Sequence, residues 1–237
     1  MKDILKAVRF DYLTVAPFVW FGVVLSVLLL GGLSLLMAPA VCALLSMIAP
    51  FFVLPLQIVA DECGFNKLYG VLPVSRKSIA RARFLYIFLV FLAAQFAELV
   101  IAGIAHAANL YRFLPNQESS MMKFVPDAFA NRSFTLLAVF GVCVLVGICV
   151  AFVEMMTQIK GRESLFRIVF FAFFTISVIA FIIAKLVQKK ILTLHLPLLA
   201  SSPAGMLLTG AAADLVLLAV CVIFGEITAA AMEKREL

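Results

Sequence analysis

Gln95, Glu98 and Asp214 stand inside long apolar runs of this 237-residue chain. A carboxylate in such a setting is expensive to keep, so it faces a bundle interior or a water-filled path, or is neutral and hydrogen-bonded. Gln95 and Glu98 are spaced i, i+3 and share one helix face. Two readings stay open for the set: they line a polar part of a transport path, or they pack near helix ends, with Asp214 also placed to pair with Lys185. Other chemistries lack their residues. The sequence has no Gly-x4-Gly-Lys-Ser/Thr string and no Gly-Lys pair, so no P-loop cradles ATP phosphates. It has no His-Glu-x-x-His and no Gly-x-Ser-x-Gly. Cys42, Cys63, Cys143, Cys149 and Cys221 show no Cys-x-x-Cys spacing, and all but Cys63 lie in apolar runs, where a thiol behaves as a small hydrophobe. His106 and His195 have no acidic neighbours at ligand spacing. The expectation is a chain that is not an enzyme and holds no cofactor or metal of its own.

The elements that must position these residues follow from composition. With 65% hydrophobic and 14% charged residues and a mean hydropathy of +1.16, the sequence excludes an ordinary soluble globule. Crossing about 30 Å of hydrocarbon takes about twenty helical residues. Six stretches reach that length, approximately 17–36, 39–60, 84–107, 134–153, 165–186 and 206–225. The predicted fold is all-α, a single membrane domain over 1–237 with six transmembrane helices. Residues 1–16 precede the first span. Lys2, Lys6 and Arg9 alternate there with Ile4, Leu5, Val8 and Tyr12, which predicts an amphipathic helix on the inner leaflet. Pro50 and Pro55 predict a kink in the second span. Gly210 to Ala213, four small residues, open the sixth span for close helix approach. Met37-Ala38-Pro39-Ala40 resembles a signal cleavage site, but the preceding apolar run is too long for a secretory signal and the first helix is expected to be retained.

Orientation follows from the basic residues. Thirteen of the 19 Lys and Arg fall in segments that are cytoplasmic if the N-terminus is inside: the N-terminal segment, the loop 61–83, Lys160, Arg162 and Arg167, and the tail residues Lys234 and Arg235. Six fall outside. Both termini are therefore expected in the cytosol, with the outer loop 108–132 opposite. A net charge of +6 distributed in this way is a topology signal and gives no reason to expect nucleic acid as a partner.

Residues 61–83 are the most specific stretch. Asp61-Glu62 precede Phe65, Asn66, Lys67, Leu68 and Tyr69, bracketed by Gly64 and Gly70. Leu72-Pro73-Val74-Ser75-Arg76 then follows, with Pro73 holding Leu72 extended and Ser75 where a helix N-cap belongs. From Arg76 the basic residues alternate with apolar ones, as in a helix rising from a lipid surface. A short lateral helix, a kink and a new span are expected.

This stretch resembles the first cytoplasmic loop of permease subunits of type-2 ATP-binding-cassette exporters, and is most similar to small six-span bacterial permeases for peptides and antibiotics. The resemblance implies that 65–69 and 72–76 form the coupling helix and its exit, seated in a cleft of a separate ATPase subunit. Lys160, Arg162 and Glu163 on the next inner loop would make a second ATPase contact. It further implies two ATPase copies that hold ATP and Mg, a second permease as homodimer or heterodimer, a bacterial plasma-membrane location among lipid, and export of a hydrophobic or amphipathic substrate such as a peptide or antimicrobial compound. An ATP-independent secondary transporter or a substrate-capturing membrane subunit is the alternative.

Overall fold

The computed structural model describes residues 2–36, 39–53, 75–108, 132–160 and 203–233. Four α-helices are present among them: α1 (Lys2–Leu36), α2 (Arg76–Ala108), α3 (Arg132–Lys160) and α4 (Pro203–Glu233). A 3-10 helix, Pro39–Met47, follows α1. No strand occurs among the described residues. Three stretches are long and apolar enough to cross a membrane, Lys77–Ala108, Thr135–Ile159 and Leu208–Met232; Val23–Leu35 and Pro39–Val53 are shorter apolar helical stretches. The expected loop residues 61–74, the outer loop 109–131 and the expected fifth span lie outside the described residues.

The alternation of buried and exposed positions on α2 shows how the helices are used. Phe84, Ile87, Phe91, Gln95, Glu98, Ala102 and Ala105 are buried and recur every three or four residues, which makes one continuous stripe. Leu89, Leu92, Phe96, Val100 and Ile104 form the opposite, exposed stripe. In water such a face would aggregate; in hydrocarbon it costs nothing, because lipid tails are as apolar as Leu. Leu215, Val216, Val222, Ile223 and Ile227 do the same on α4. The pattern is that of a membrane protein.

Cross-helix pairs fix the directions. On α2 and α3, Arg83 meets Glu154 near one end and His106 meets Thr135 near the other, so these helices are antiparallel. Arg81 meets Glu226 and Phe84 meets Gly225, which sets α4 antiparallel to α2 as well. α3 and α4 are then parallel and closely apposed through glycines. A Cβ on Gly147 would stand 2.7 Å from Leu217 Cδ1, and one on Gly210 would stand 2.6 Å from Phe140 Cζ. Of the small residues that open α4, Gly210 makes this close approach, while Ala211 and Ala212 are exposed. Val15, Phe84, Ile87, Phe91, Cys143, Val146 and Leu217 form the core that all four helices share.

Three boundaries differ from the sequence expectation, one of them the end of α4, which runs past Gly225 to Glu233. Helix α1 runs unbroken from Lys2 to Leu36, so no interruption separates residues 1–16 from the first expected span, and Pro17 is carried within the helix. Helix α3 continues past Val153 to Lys160, into what the sequence suggested was loop. The physical reason is that Glu154 has its charge matched by Arg83, while Met155 is buried and Met156 and Ile159 pack against the core. A charged residue that ends a hydropathy window therefore does not end this helix.

Candidate polar site within the helix bundle

The site begins with a failure of regular helix. From Pro39 the chain winds as a 3-10 helix of nine residues, whereas runs beyond three or four are uncommon and mark hinges or strain. The winding passes through a turn before Pro50. Ile48 N–H donates to the Leu45 carbonyl at 2.9 Å and Phe51 N–H to the Ile48 carbonyl at 2.9 Å, both three residues back. Pro50 has no N–H to give, and the 3-10 winding and turn end just before it; Pro55, the second proline on which the kink expectation rested, lies outside the described residues.

Irregular backbone at membrane depth is tolerated only where protein or a wet cavity satisfies it. Here α2 supplies the partner. The Ser46 backbone N–H donates to Glu98 Oε1 at 2.6 Å, and both residues are fully buried. One helical turn before, the Gln95 side-chain amide donates to the Asp214 carboxylate of α4. The Cys143 thiol of α3 donates to the Phe91 carbonyl at 3.5 Å and lies in the electrostatic field of both Glu98 and Asp214; Cys42 lies in that of Glu98. The three residues picked out in the sequence are thus brought to one level of the bundle. Glu98 and Asp214 are not bonded to each other; Gln95 links the second and stands beside the first.

The Ser46 side chain as well as its backbone N–H bonds to Glu98, and it also meets the Cys143 thiol; Gln95 Oε1 and Glu98 Oε2 are left without a partner at this level. Ser46 was not foreseen as a site residue. The signal that could have found it is Pro50, since a proline four residues on frees the Ser46 carbonyl and makes regular helix around Ser46 improbable.

A second polar layer lies at the end where α1 and α2 begin and α3 and α4 finish. Arg83 Nη1 donates to Glu154 Oε1 at 3.2 Å, and Gln158 Nε2 donates to the same oxygen. Arg81 Nη2 donates to Glu226 Oε2 at 2.8 Å on the surface. Ser75, the foreseen N-cap, does cap α2: Ser78 N–H donates to Ser75 Oγ at 3.2 Å and Ile79 N–H to the Ser75 carbonyl at 3.1 Å. Arg76 begins α2, and Lys160 ends α3 at the same end of the bundle. Phe65, Asn66, Lys67, Leu68, Tyr69, Leu72, Pro73, Val74, Arg162 and Glu163 lie outside the described residues.

Between α1, the 3-10 turn and α2 opens a cavity of about 510 Å³, walled by apolar residues that include Val15, Trp20, Phe52 and Val90. Arg9 and Tyr12 line it toward the start of α1. Apart from Arg9, Tyr12 and Ser26 the lining side chains are apolar. Among the described residues, no cluster of three or more His, Cys, Asp or Glu side chains could hold a metal ion. No protein-family model, no curated protein and no solved structure matches this chain.

Proposed function

We propose that this chain is the six-span permease subunit of an ATP-binding-cassette exporter, working in a bacterial plasma membrane with both termini in the cytosol. A separate ATPase, present in two copies, binds ATP and Mg, and a second permease completes the translocation unit. Binding of nucleotide draws the ATPase subunits together; the loop 61–83 receives that movement and passes it to α2 as a rigid lever. The loop must bind the open and closed ATPase differently, because equal affinity shifts no population.

The observation that carries the reading is the start of α2. The Leu72 to Ile79 string on which the resemblance rests ends in a helix capped by Ser75, and the first turns of that helix hold Arg81 and Arg83, each tied to an acid on another helix. A push on the loop would therefore reach α3 and α4 through fixed contacts. The apolar cavity beside α1 supports a hydrophobic or amphipathic cargo, and its size suits a lipid-like tail or a short apolar peptide segment.

The test is a search of the neighbouring reading frames for a P-loop ATPase and its co-purification with the full chain, followed by deletion of residues 65–69. The complex should lose substrate-stimulated ATP hydrolysis while the permease stays inserted. Unchanged stimulation by the deleted form would refute the lever. A specific observation also favours the alternative, an ion-coupled transporter that needs no ATPase: an irregular helical segment lies within the bundle beside the buried Glu98, and binding sites of such transporters form at interrupted helices. Substrate uptake driven by an ion gradient in vesicles holding this chain alone would select it.

A further inference from the structure

We propose that the cavity between α1, the 3-10 turn and α2 holds one acyl chain of an anionic phospholipid, whose phosphate sits at Arg9. The inference goes beyond the transport readings above and needs neither an ATPase nor an ion gradient.

Helices α1 and α2 run side by side in one direction: Asp11 acts electrostatically on Tyr86, and a Cβ on Gly31 would stand 3.9 Å from Ile101. The cavity lies between them, with exposed side chains at its rim, Tyr12 and Trp20 on α1 and Leu89 on α2. Along α2 its lining runs from Tyr86 to Ala97, about 16 Å at 1.5 Å per residue. That is the depth of one leaflet, half of about 30 Å of hydrocarbon. It starts one turn inside Arg83 and stops next to Glu98, so it reaches from the basic end to the middle of the bundle.

Volume and polarity select the occupant. A helix with its side chains is about 10 Å across and would fill about 1,250 Å³ over that length. The cavity holds about 510 Å³, so no helix fits it, whether from a second copy or from elsewhere in this chain. An extended peptide segment fits by size, but each residue brings a backbone N–H and C=O that need partners. Beyond Tyr12 the side chains of the wall offer the Ser26 hydroxyl and the Trp20 indole, because the Tyr86 hydroxyl is given to the Phe52 carbonyl. Polar backbone left unpaired there is costly. An acyl chain has no polar group to leave unpaired.

The mouth selects the headgroup. Arg9 lines the cavity where α1 begins, Tyr12 follows one turn on, and Lys6 is exposed one turn before. Of the acids on this part of α1, Asp3 is exposed nearly two turns from Arg9, and Asp11 is 1% exposed and turned into the bundle. A phosphate at Arg9 receives guanidinium hydrogens in fixed geometry and the nearby charge of Lys6. A lipid whose own ammonium group already offsets its phosphate gains less from both.

The test places the full chain in nanodiscs with equal amounts of phosphatidylglycerol and phosphatidylcholine and counts the lipids retained by native mass spectrometry. One phosphatidylglycerol should stay on each chain, favoured over phosphatidylcholine by about fivefold or more, the effect of one basic residue at a lipid surface. R9Q should lose about that preference and keep the wild-type thermal midpoint, since it changes an exposed side chain. A93F puts a ring into the cavity from α2 and should lose either lipid. Spin-labelled phosphatidylglycerol gives a readout independent of any variant's folding, with one immobilised lipid per wild-type chain expected. No retained or immobilised lipid, equal retention of the two lipids, or a preference that R9Q keeps in full would each overturn the site. A doubled mass that A93F returns to that of one chain would also overturn it and give the cavity to a second copy. Lipid is counted without the ATPase, so failure here leaves the permease reading standing, and failure of the loop deletion leaves this site standing.

Discussion

At the basic end of the bundle, acids meet arginines; in its middle, they meet neutral groups. Glu154 is 2% exposed and receives Arg83, while Glu226 receives Arg81 at the surface. Glu98 receives a backbone N–H, and Asp214 receives the Gln95 amide. The contrast separates two uses of a membrane carboxylate. The arginine pairs tie α2 to α3 and α4 by opposite charge, although Gln158 Oε1 is left over in that layer as well. The middle pair satisfies backbone and orients an amide with no cation engaged in either bond. A charge pair holds helices together; a neutral pairing holds irregular backbone in place.

Removing Arg83 should have the largest effect on this contrast. Arg83→Ala strands the Glu154 carboxylate in the bundle and should destabilise the protein by about 3–5 kcal/mol, read as a fall in thermal midpoint and in detergent-stable yield. Arg83→Met combined with Glu154→Leu should recover most of the loss, because an apolar pair has no charge to compensate. If the single and double variants were equally damaged, Arg83 would act through packing, and the charge pair would not be the staple inferred for it.

Glu98→Ala comes next. It leaves the Ser46 N–H buried without an acceptor, for a loss of about 1–3 kcal/mol. Hydrogen exchange should show the change as faster exchange confined to Pro39–Met47. Gln95→Leu is expected to be milder, about 1 kcal/mol, since Asp214 is only half-buried and can turn toward other donors. A double-mutant cycle of Gln95→Leu with Asp214→Asn should show coupling, and additivity would mean that the amide does not orient the acid.

These pairs also show what could be seen in the sequence. The buried stripe of α2 is legible as a three-four spacing from Phe84 to Ala105, and Gln95 and Glu98 stand in it where apolar residues belong. That is why they could be singled out. Their partners could not be read, because Ser46 acts through its backbone N–H, which every residue but proline has. The end of α3 was misjudged for a related reason: Glu154 reads as a loop residue in a hydropathy window, and its neutraliser lies 71 positions earlier in the chain. Ser75 was legible because capping is local, with its acceptor and donor only three residues apart. Local geometry was written in the sequence, whereas long-range pairing of charge was not.

The smallest effect should come from the other arginine. Arg81 and Glu226 meet at 2.8 Å with side chains 43% and 54% exposed, so water and salt compete for both charges. Arg81→Ala should leave the thermal midpoint within error of the wild type, and raising the salt concentration should erase whatever difference remains. The two arginines are two residues apart on α2 and have the same chemistry, so depth alone distinguishes them. If Arg81→Ala proved as damaging as Arg83→Ala, burial would not be what gives the inner staple its strength. A load-transmitting role for the first turns of α2 would then extend to the surface pair, which could be tested by asking whether Glu226→Arg combined with Arg81→Glu restores what either change alone removes.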